Sequence, residues 1–397
     1  MIKIYIVAGE ASGDFIGSRV MGHIKRQEQN CSFRGVGGPK MEKEDLKSLF
    51  PMDDINLMGF TEILPHIFKI KALINDTKKD IEQYQPDLLI TIDSPGFTFR
   101  VASLVRKNNK QIKMLHIVAP SVWAYKPSRA KKYAAIYNYI FTLLSFEPQY
   151  FQRYGLESHY IGHPIFEQSF VSCKSTLRRE MKIDKNKKII AVAVGSRNGE
   201  IKIHTPIFVE ALNMLSLKIN DDLEIIFVIL SESHEKLIKQ YLKTARFRYR
   251  FSQDKLTSFA LADVALAKSG TNTLEIAASK TPMVVAYKAH FISYMLIKAM
   301  ISIEYASLIN IAANKEIIPE YIQFKCKPAL LSEALLQLIC NKAYAQNQIK
   351  SVQTILKNNM GLKNTDSRSN TQFNYDSYLD PTQYASHLLL KYVKNNK

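Results

Sequence analysis

The chain has 397 residues, 46% of them hydrophobic and 23% charged, an ordinary globular balance with length for two domains, which excludes a disordered chain. Its net charge of +18 suits a polyanionic partner such as nucleic acid, a phosphorylated substrate or an anionic bilayer surface. Nucleic acid is disfavoured, because no zinc-finger spacing, RNP-type aromatic run or basic-region heptad accompanies the charge.

The N-terminal run MIKIYIVAGE is interrupted too soon by Gly9 and Glu10 to be a signal peptide. No stretch approaches the roughly 18 apolar residues of a membrane span; the nearest, 282–303, is broken by Lys288, His290 and Lys298. A cytoplasmic protein is expected. Cys31, Cys173, Cys326 and Cys340 are scattered without a C-x-x-C pair, so neither a disulfide framework nor a structural metal is indicated. The first expected strand, 4–8, ends in Ala8-Gly9-Glu10-Ala11-Ser12-Gly13-Asp14, ahead of an amphipathic pattern. Small residues there turn the chain tightly and leave a helix N-terminus open to an anion or to sugar hydroxyls. The segment is neither G-x-G-x-x-G nor a P-loop; Glu10 and Asp14 favour a polar site over a plain strand-to-helix turn.

The expected strand 88–92 runs into Asp93-Ser94-Pro95. A carboxylate at the carboxyl end of an apolar strand can deprotonate an attacking hydroxyl, a contribution of about 10²–10⁴-fold in many enzymes; a turn or N-cap aspartate is the alternative. After strand 114–118, the run APSVWAYK holds the only tryptophan, Trp123, whose face can stack on a sugar or fill the core. Strand 140–144 and Gly162-His163-Pro164 close the first half. Strand 189–194 then meets Gly195-Ser196-Arg197, where a glycine turn and a guanidinium at a helix N-terminus suit a diphosphate leaving group. Strand 223–230 follows, and strand 264–267 leads to Ser269-Gly270-Thr271, with Glu275 one turn into the next helix and placed to accept ribose hydroxyls. Strand 283–286 is the last. A polar stretch, 358–375, precedes a helical apolar pattern at 384–393, a docking helix that can pack on its own first domain or exchange onto a second copy in a homodimer.

Strands alternating with helices predict parallel sheets covered on both faces, and two doubly wound sheets facing each other would bind ligands in a central cleft. The expected boundaries are 1–165 for the first domain, 166–188 for a linker, 189–355 for the second domain and 356–397 for connector and docking helix. No D-x-D pair or metal-ligand cluster stands near the second-half signals, so protein charge without a metal ion is expected to stabilise the leaving group.

AGEASGD at 8–14, GVGGPKM at 35–41, LMGFTEIL at 57–64, APSVWAY at 119–125, IGHPI at 161–165, VGSRNGEI at 194–201 and SGTNTLE at 269–275 occur in that order and together resemble bacterial lipid-A-disaccharide synthase over about residues 2–330. The resemblance implies a GT-B fold of two Rossmann-like domains, the first on the acceptor and lipid side, the second binding the UDP-sugar. It implies a metal-independent, inverting transfer from UDP-2,3-diacylglucosamine to 2,3-diacylglucosamine 1-phosphate (lipid X), giving a β(1→6) disaccharide and UDP. Asp93 then becomes the general-base candidate, and Arg197 the second catalytic residue, contacting the diphosphate with Ser196. Glu200, Ser269, Gly270, Thr271, Glu275 and Asn310 complete the UDP-sugar site. Glu10, Ser12, Gly13, Ser121 and Trp123 lie on the acceptor side. The segment 57–74, with Leu57, Met58, Phe60, Ile67 and Phe68, resembles the family's acyl-chain and membrane-facing region, and with Lys69 and Lys71 it fits an anionic inner-membrane surface on the cytoplasmic side. The chain departs from the family pattern at Val194 and Ile309, where Pro is usual, at Gly96, where an acidic residue is frequent, and at Glu167, where Asp is usual. A UDP-sugar 2-epimerase of the same architecture is the alternative enzyme; a peripheral membrane or nucleic-acid binding protein is the non-enzymatic one.

Overall fold

Eight of the apolar runs form the inner strands of two six-stranded parallel sheets in the computed structural model, which describes all residues except 56–62, 168–173, 185–186, 220–221, 302, 362–379 and 395–397. The first sheet holds β1 (Ile2–Ala8), β2 (Cys31–Val36), β3 (Leu88–Ile92), β4 (Lys113–Ile117), β5 (Tyr139–Thr142) and β6 (Glu157–Tyr160), in the order β2-β1-β3-β4-β5-β6. The second holds β7 (Lys188–Ala193), β8 (Leu223–Val228), β9 (Arg248–Ser252), β10 (Val264–Lys268), β11 (Met283–Tyr287) and β12 (Glu320–Ile322), in the order β12-β11-β10-β7-β8-β9. Every edge strand is polar or short, from CSFRGV in β2 to RYRFS in β9. The inner strands are mostly apolar, because helices cover a parallel sheet on both faces, and the charged residues within them, such as Lys3, Lys113, Glu224 and Lys268, are only partly buried. Alternate residues of β1 show this: Ile4 and Ile6 enter one core with Val20 and Ile24, while Tyr5 and Val7 enter another with Val101 and Met114.

The chain divides into two compact units, Met1–Glu167 with Met360–Lys397, and Gln168–Asn359. In each sheet the strand order reverses once, between β1 and β3 in the first and between β7 and β10 in the second. Crevices at such switch points are where open α/β sheets bind ligands.

One segment differs from its sequence expectation. Part of the stretch expected to be a linker, Lys174–Glu180, is a helix fastened to the second unit: Lys174 Nζ and Arg178 Nη2 bind the two carboxylate oxygens of Asp263 at 2.5 and 2.6 Å. The C-terminal helix, Pro381–Lys394, packs on the helix Ala11–Gln27 of its own chain and places Ala385, Leu388, Leu389, Leu390 and Val393 in the core beneath β1. Each fully buried leucine contributes about 1.5–3 kcal/mol. Buried Glu167 anchors this helix, accepting bonds from the Thr382 N–H at 2.6 Å, the Thr382 hydroxyl at 2.9 Å and Arg19 Nε at 3.2 Å.

Candidate active site

At the switch point of the first sheet, β1 is followed by Gly9 and β3 by Asp93. A Cβ on Gly9 would lie 2.7 Å from Ser94 Oγ, so only glycine lets the two turns press together. Asp93 and Ser94 both adopt left-handed backbone conformations, with φ of 49° and 44°, which costs a non-glycine residue on the order of 1–2 kcal/mol. The conformation is held by the Asp93 N–H donating to the Ile117 carbonyl at 3.0 Å and by the Thr98 hydroxyl donating to the Asp93 carbonyl at 2.6 Å. The Asp93 carboxyl is pushed up to about 6, first by burial and then by the Glu10 charge, against hydrogen bonds from the Ser94 N–H and the Ser12 hydroxyl. Glu10, Ser12 and Asp93 thus share one polar spot, with Gly13 packed against the Ile92 carbonyl. Asp14 belongs elsewhere: buried, it accepts N–H bonds of 2.9–3.0 Å from Gly38, Lys40 and Met41 and fixes the loop after β2.

Ser121 is exposed and Trp123 half-buried in the loop after β4. The Trp123 indole N–H donates to Glu147 Oε1 at 3.0 Å, and Phe146 meets its ring edge-on. Glu147 also accepts from the N–H groups of Leu143 and Leu144, and its burial raises its carboxyl to about 7. Of the expected membrane-facing residues, Leu57, Met58 and Phe60 and the side chain of Ile67 lie outside the described residues. Phe68 is 82% exposed.

At the switch point of the second sheet, β7 passes through Gly195 into the helix Asn198–Ser216. Gly195 has φ 128°, and a Cβ there would lie 2.7 Å from Glu200 Oε2. Glu200 is drawn back over the turn: its Oε2 accepts the Ser196 N–H at 3.1 Å and its Oε1 meets Lys268 Nζ at 2.9 Å. Burial raises this carboxyl, but the Lys268 ammonium, the Ser196 N–H and Arg197 together hold it below the ordinary value. The Arg197 side chain is 65% exposed, 3.9 Å from Glu200. His204, one turn further along, donates from Nδ1 to the Glu200 carbonyl and accepts the Lys288 N–H on Nε2, tying the helix to the end of β11. From β10 the chain passes through Ser269, whose hydroxyl donates to the Ala306 carbonyl at 2.8 Å, then exposed Gly270 and Thr271. Glu275 is buried, with Oε1 bound by Lys255 Nζ at 2.6 Å and Oε2 without a hydrogen-bond partner among the described residues. Leaving a buried carboxylate oxygen unmatched is costly, and a ligand hydroxyl would satisfy it.

Asn310 is fully buried. Its Nδ2 donates to the Ile318 carbonyl and to Glu320, and its Oδ1 accepts from the Ile317 and Ile318 N–H groups. These four side-chain bonds brace the segment that leads into β12. Among the described residues no group of three or more His, Cys, Asp or Glu is placed to hold a metal ion.

A family model described as lipid-A-disaccharide synthetase matches residues 4–373. The chain belongs to the lipid-A-disaccharide synthase family. Lipid-A-disaccharide synthases of Rickettsia conorii and Rickettsia felis are 51% identical over 393 residues (95% of this chain, 88% of the relative) and 54% identical over 359 residues (90% and 91%). The chain is accordingly a glycosyltransferase of lipid A disaccharide synthesis. Among solved structures, a putative UDP-N-acetylglucosamine 2-epimerase of Listeria monocytogenes is similar with a TM-score of 0.63 at 12% identity, covering 98% of this chain and 94% of that one. MurG of Acinetobacter baumannii is similar at 0.55 and 15%, covering 98% and 99%. Likenesses at such identities show the two-domain GT-B fold alone, so the epimerase alternative rests on shared architecture.

Three charged residues that the lipid-A-disaccharide synthase motifs did not single out complete the two sites. Lys268 and Lys255 hold Glu200 and Glu275, and Glu147 holds Trp123. Lys268 does end an apolar strand, but nothing in the sequence pairs it with a carboxylate 68 positions away.

Proposed function

We propose that this glycosyltransferase moves the diacylglucosamine unit of UDP-2,3-diacylglucosamine onto the 6-hydroxyl of 2,3-diacylglucosamine 1-phosphate, with inversion and without a metal ion. It works on the cytoplasmic face of the inner membrane. Asp93 takes the hydroxyl proton as the oxygen attacks the anomeric carbon and the bond to UDP breaks. The observation that carries this reading is the place of Asp93, directly after β3 and beside Glu10 and Ser12, where burial pushes its carboxyl up to about 6: a base of that strength is ionised at neutral pH yet holds a proton better than an ordinary aspartate. Arg197, Lys268 and the N-terminus of the helix Asn198–Ser216 supply positive charge for the departing diphosphate. Ser196, Ser269, Gly270 and Thr271 line the same side, and the unmatched oxygen of Glu275 accepts a ribose hydroxyl. Glu10, Ser12, Gly13, Ser121 and Trp123 face the acceptor sugar, and the segment 57–74 its lipid surface.

The test is transfer of labelled sugar between these two substrates in EDTA, comparing the wild type with Asp93→Ala and Arg197→Ala. Disaccharide from the wild type, and losses of about 10²-fold or more in both variants, are expected. A folded, UDP-binding protein that makes no disaccharide overturns the proposed substrates. Transfer abolished by EDTA and restored by a divalent cation overturns metal independence.

A further inference from the structure

The second unit carries an apolar surface that the proposed chemistry does not use. The helix Phe291–Met300 follows β11 directly, and Phe291 and Met295, four positions apart and therefore on one face, are 60% and 49% exposed. Phe324, 64% exposed on the short turn after β12, meets the rings of Phe291 and Tyr294 at centroid distances of 6.4 and 5.9 Å. Gln323 holds that turn in place by exchanging hydrogen bonds with the Ala289 backbone at 3.0 and 3.1 Å. Cations stand near the aromatic tip. Lys298 lies over the Tyr294 ring at 6.0 Å. Lys288 sits close enough to Cys326 to oppose the burial that raises its thiol, and Lys325 and Lys327, both exposed, flank that cysteine.

We infer that this surface is a membrane contact of the second unit, with Phe291, Met295 and Phe324 entering the headgroup region of an anionic leaflet and Lys288, Lys298, Lys325 and Lys327 pairing with its phosphates. An apolar tip ringed by lysines complements an anionic interface better than a neutral one, and each lysine near such a surface adds to the attraction. No helix among the described residues is long and apolar enough to cross a membrane, so the contact lies in the interface plane. It also has a use. The Lys288 N–H is bonded to His204, one turn from Glu200, so the surface begins beside the turn assigned to the diphosphate, and a lipid-tailed sugar nucleotide can be taken up with its tails still in the leaflet. The inference rests on the reading that the enzyme works at a membrane surface through the first unit.

The test is co-sedimentation of the full chain with phosphatidylcholine vesicles with and without phosphatidylglycerol. Comparison is made with Phe291→Ser/Met295→Ser/Phe324→Ser, Lys298→Glu/Lys325→Glu and, in the first unit, Phe68→Ser. The wild type is expected to bind the anionic vesicles, the apolar triple variant about tenfold or more weakly, and the lysine variant to lose its preference for phosphatidylglycerol. Wild-type transfer rates for the triple variant on detergent-solubilised substrates will show that its fold is intact. Wild-type vesicle binding by the triple variant, with loss in Phe68→Ser, overturns this inference and leaves the membrane reading standing. A wild type that binds no vesicles overturns both. A concentration-dependent dimer in the wild type, abolished in the triple variant whose vesicle binding is unchanged, gives the surface to a second copy.

Discussion

At the switch point of the first sheet Asp93 stands beside the Glu10 charge and the Ser12 hydroxyl, whereas at that of the second sheet Glu200 is matched to Lys268 and Glu275 to Lys255. The same topology thus carries two electrostatic regimes: a carboxylate made basic by desolvation and a like charge, and carboxylates made fixed acceptors by ammonium groups. The proposed proton acceptor and the proposed diphosphate site call for these opposite treatments.

The strongest challenge to the comparison is to neutralise one member on each side. Asp93→Asn is expected to lower kcat by about 10²–10⁴-fold while UDP affinity, measured by calorimetry, stays unchanged. Arg197→Ala is expected to weaken UDP binding by about 10–100-fold, the loss of a charged hydrogen-bonding group. A variant that lost both properties together would merge the two regimes.

Stability should move in opposite directions. Asp93 has a folded value near 6 against an ordinary 3.8, so the folded state holds the proton more tightly. Stability therefore falls as pH rises from about 4 to 6, and the penalty persists above that. Asp93→Asn removes it, and a gain of about 1–3 kcal/mol at pH 8 is expected in urea unfolding. Glu200→Gln instead strands Lys268 and is expected to cost about 1–3 kcal/mol. The smallest effect is in the pH profile. The kcat/KM is expected to rise through about pH 6 to a plateau as Asp93 ionises, and Glu10→Gln to move that midpoint downward by removing the neighbouring charge.

The eight inner strands were legible because burial on both faces makes them mostly apolar runs. β2, β6, β9 and β12 were not, because an edge strand such as ESHY or RYRFS has solvent or a single neighbour to satisfy and carries no such pattern. The turns with chemistry were legible as small residues next to a charge: Gly9-Glu10, Asp93-Ser94, Gly195-Ser196-Arg197. What charged groups pair with was hidden. Asp14 stands in the first turn of the helix Ala11–Gln27 yet serves a loop 24 residues on, and Asn310 spends itself on a local brace. Spacing along a chain identifies which groups reach a strand end; only three-dimensional proximity decides which of them are already occupied.

The C-terminal helix gives the two units different histories during synthesis. Residues 168–359 are contiguous, so the second unit can complete its core while the ribosome is still elongating. The first unit cannot: the patch formed by Ile16, Val20 and Ile24 stays uncovered until Leu388, Leu389 and Val393 arrive. At roughly 5–20 residues per second, that wait after Glu167 is on the order of ten to fifty seconds. The half of the enzyme made first is expected to be finished last. Stalled chains ending before Pro381 are expected to be cut by protease within 1–167 and spared within 168–359.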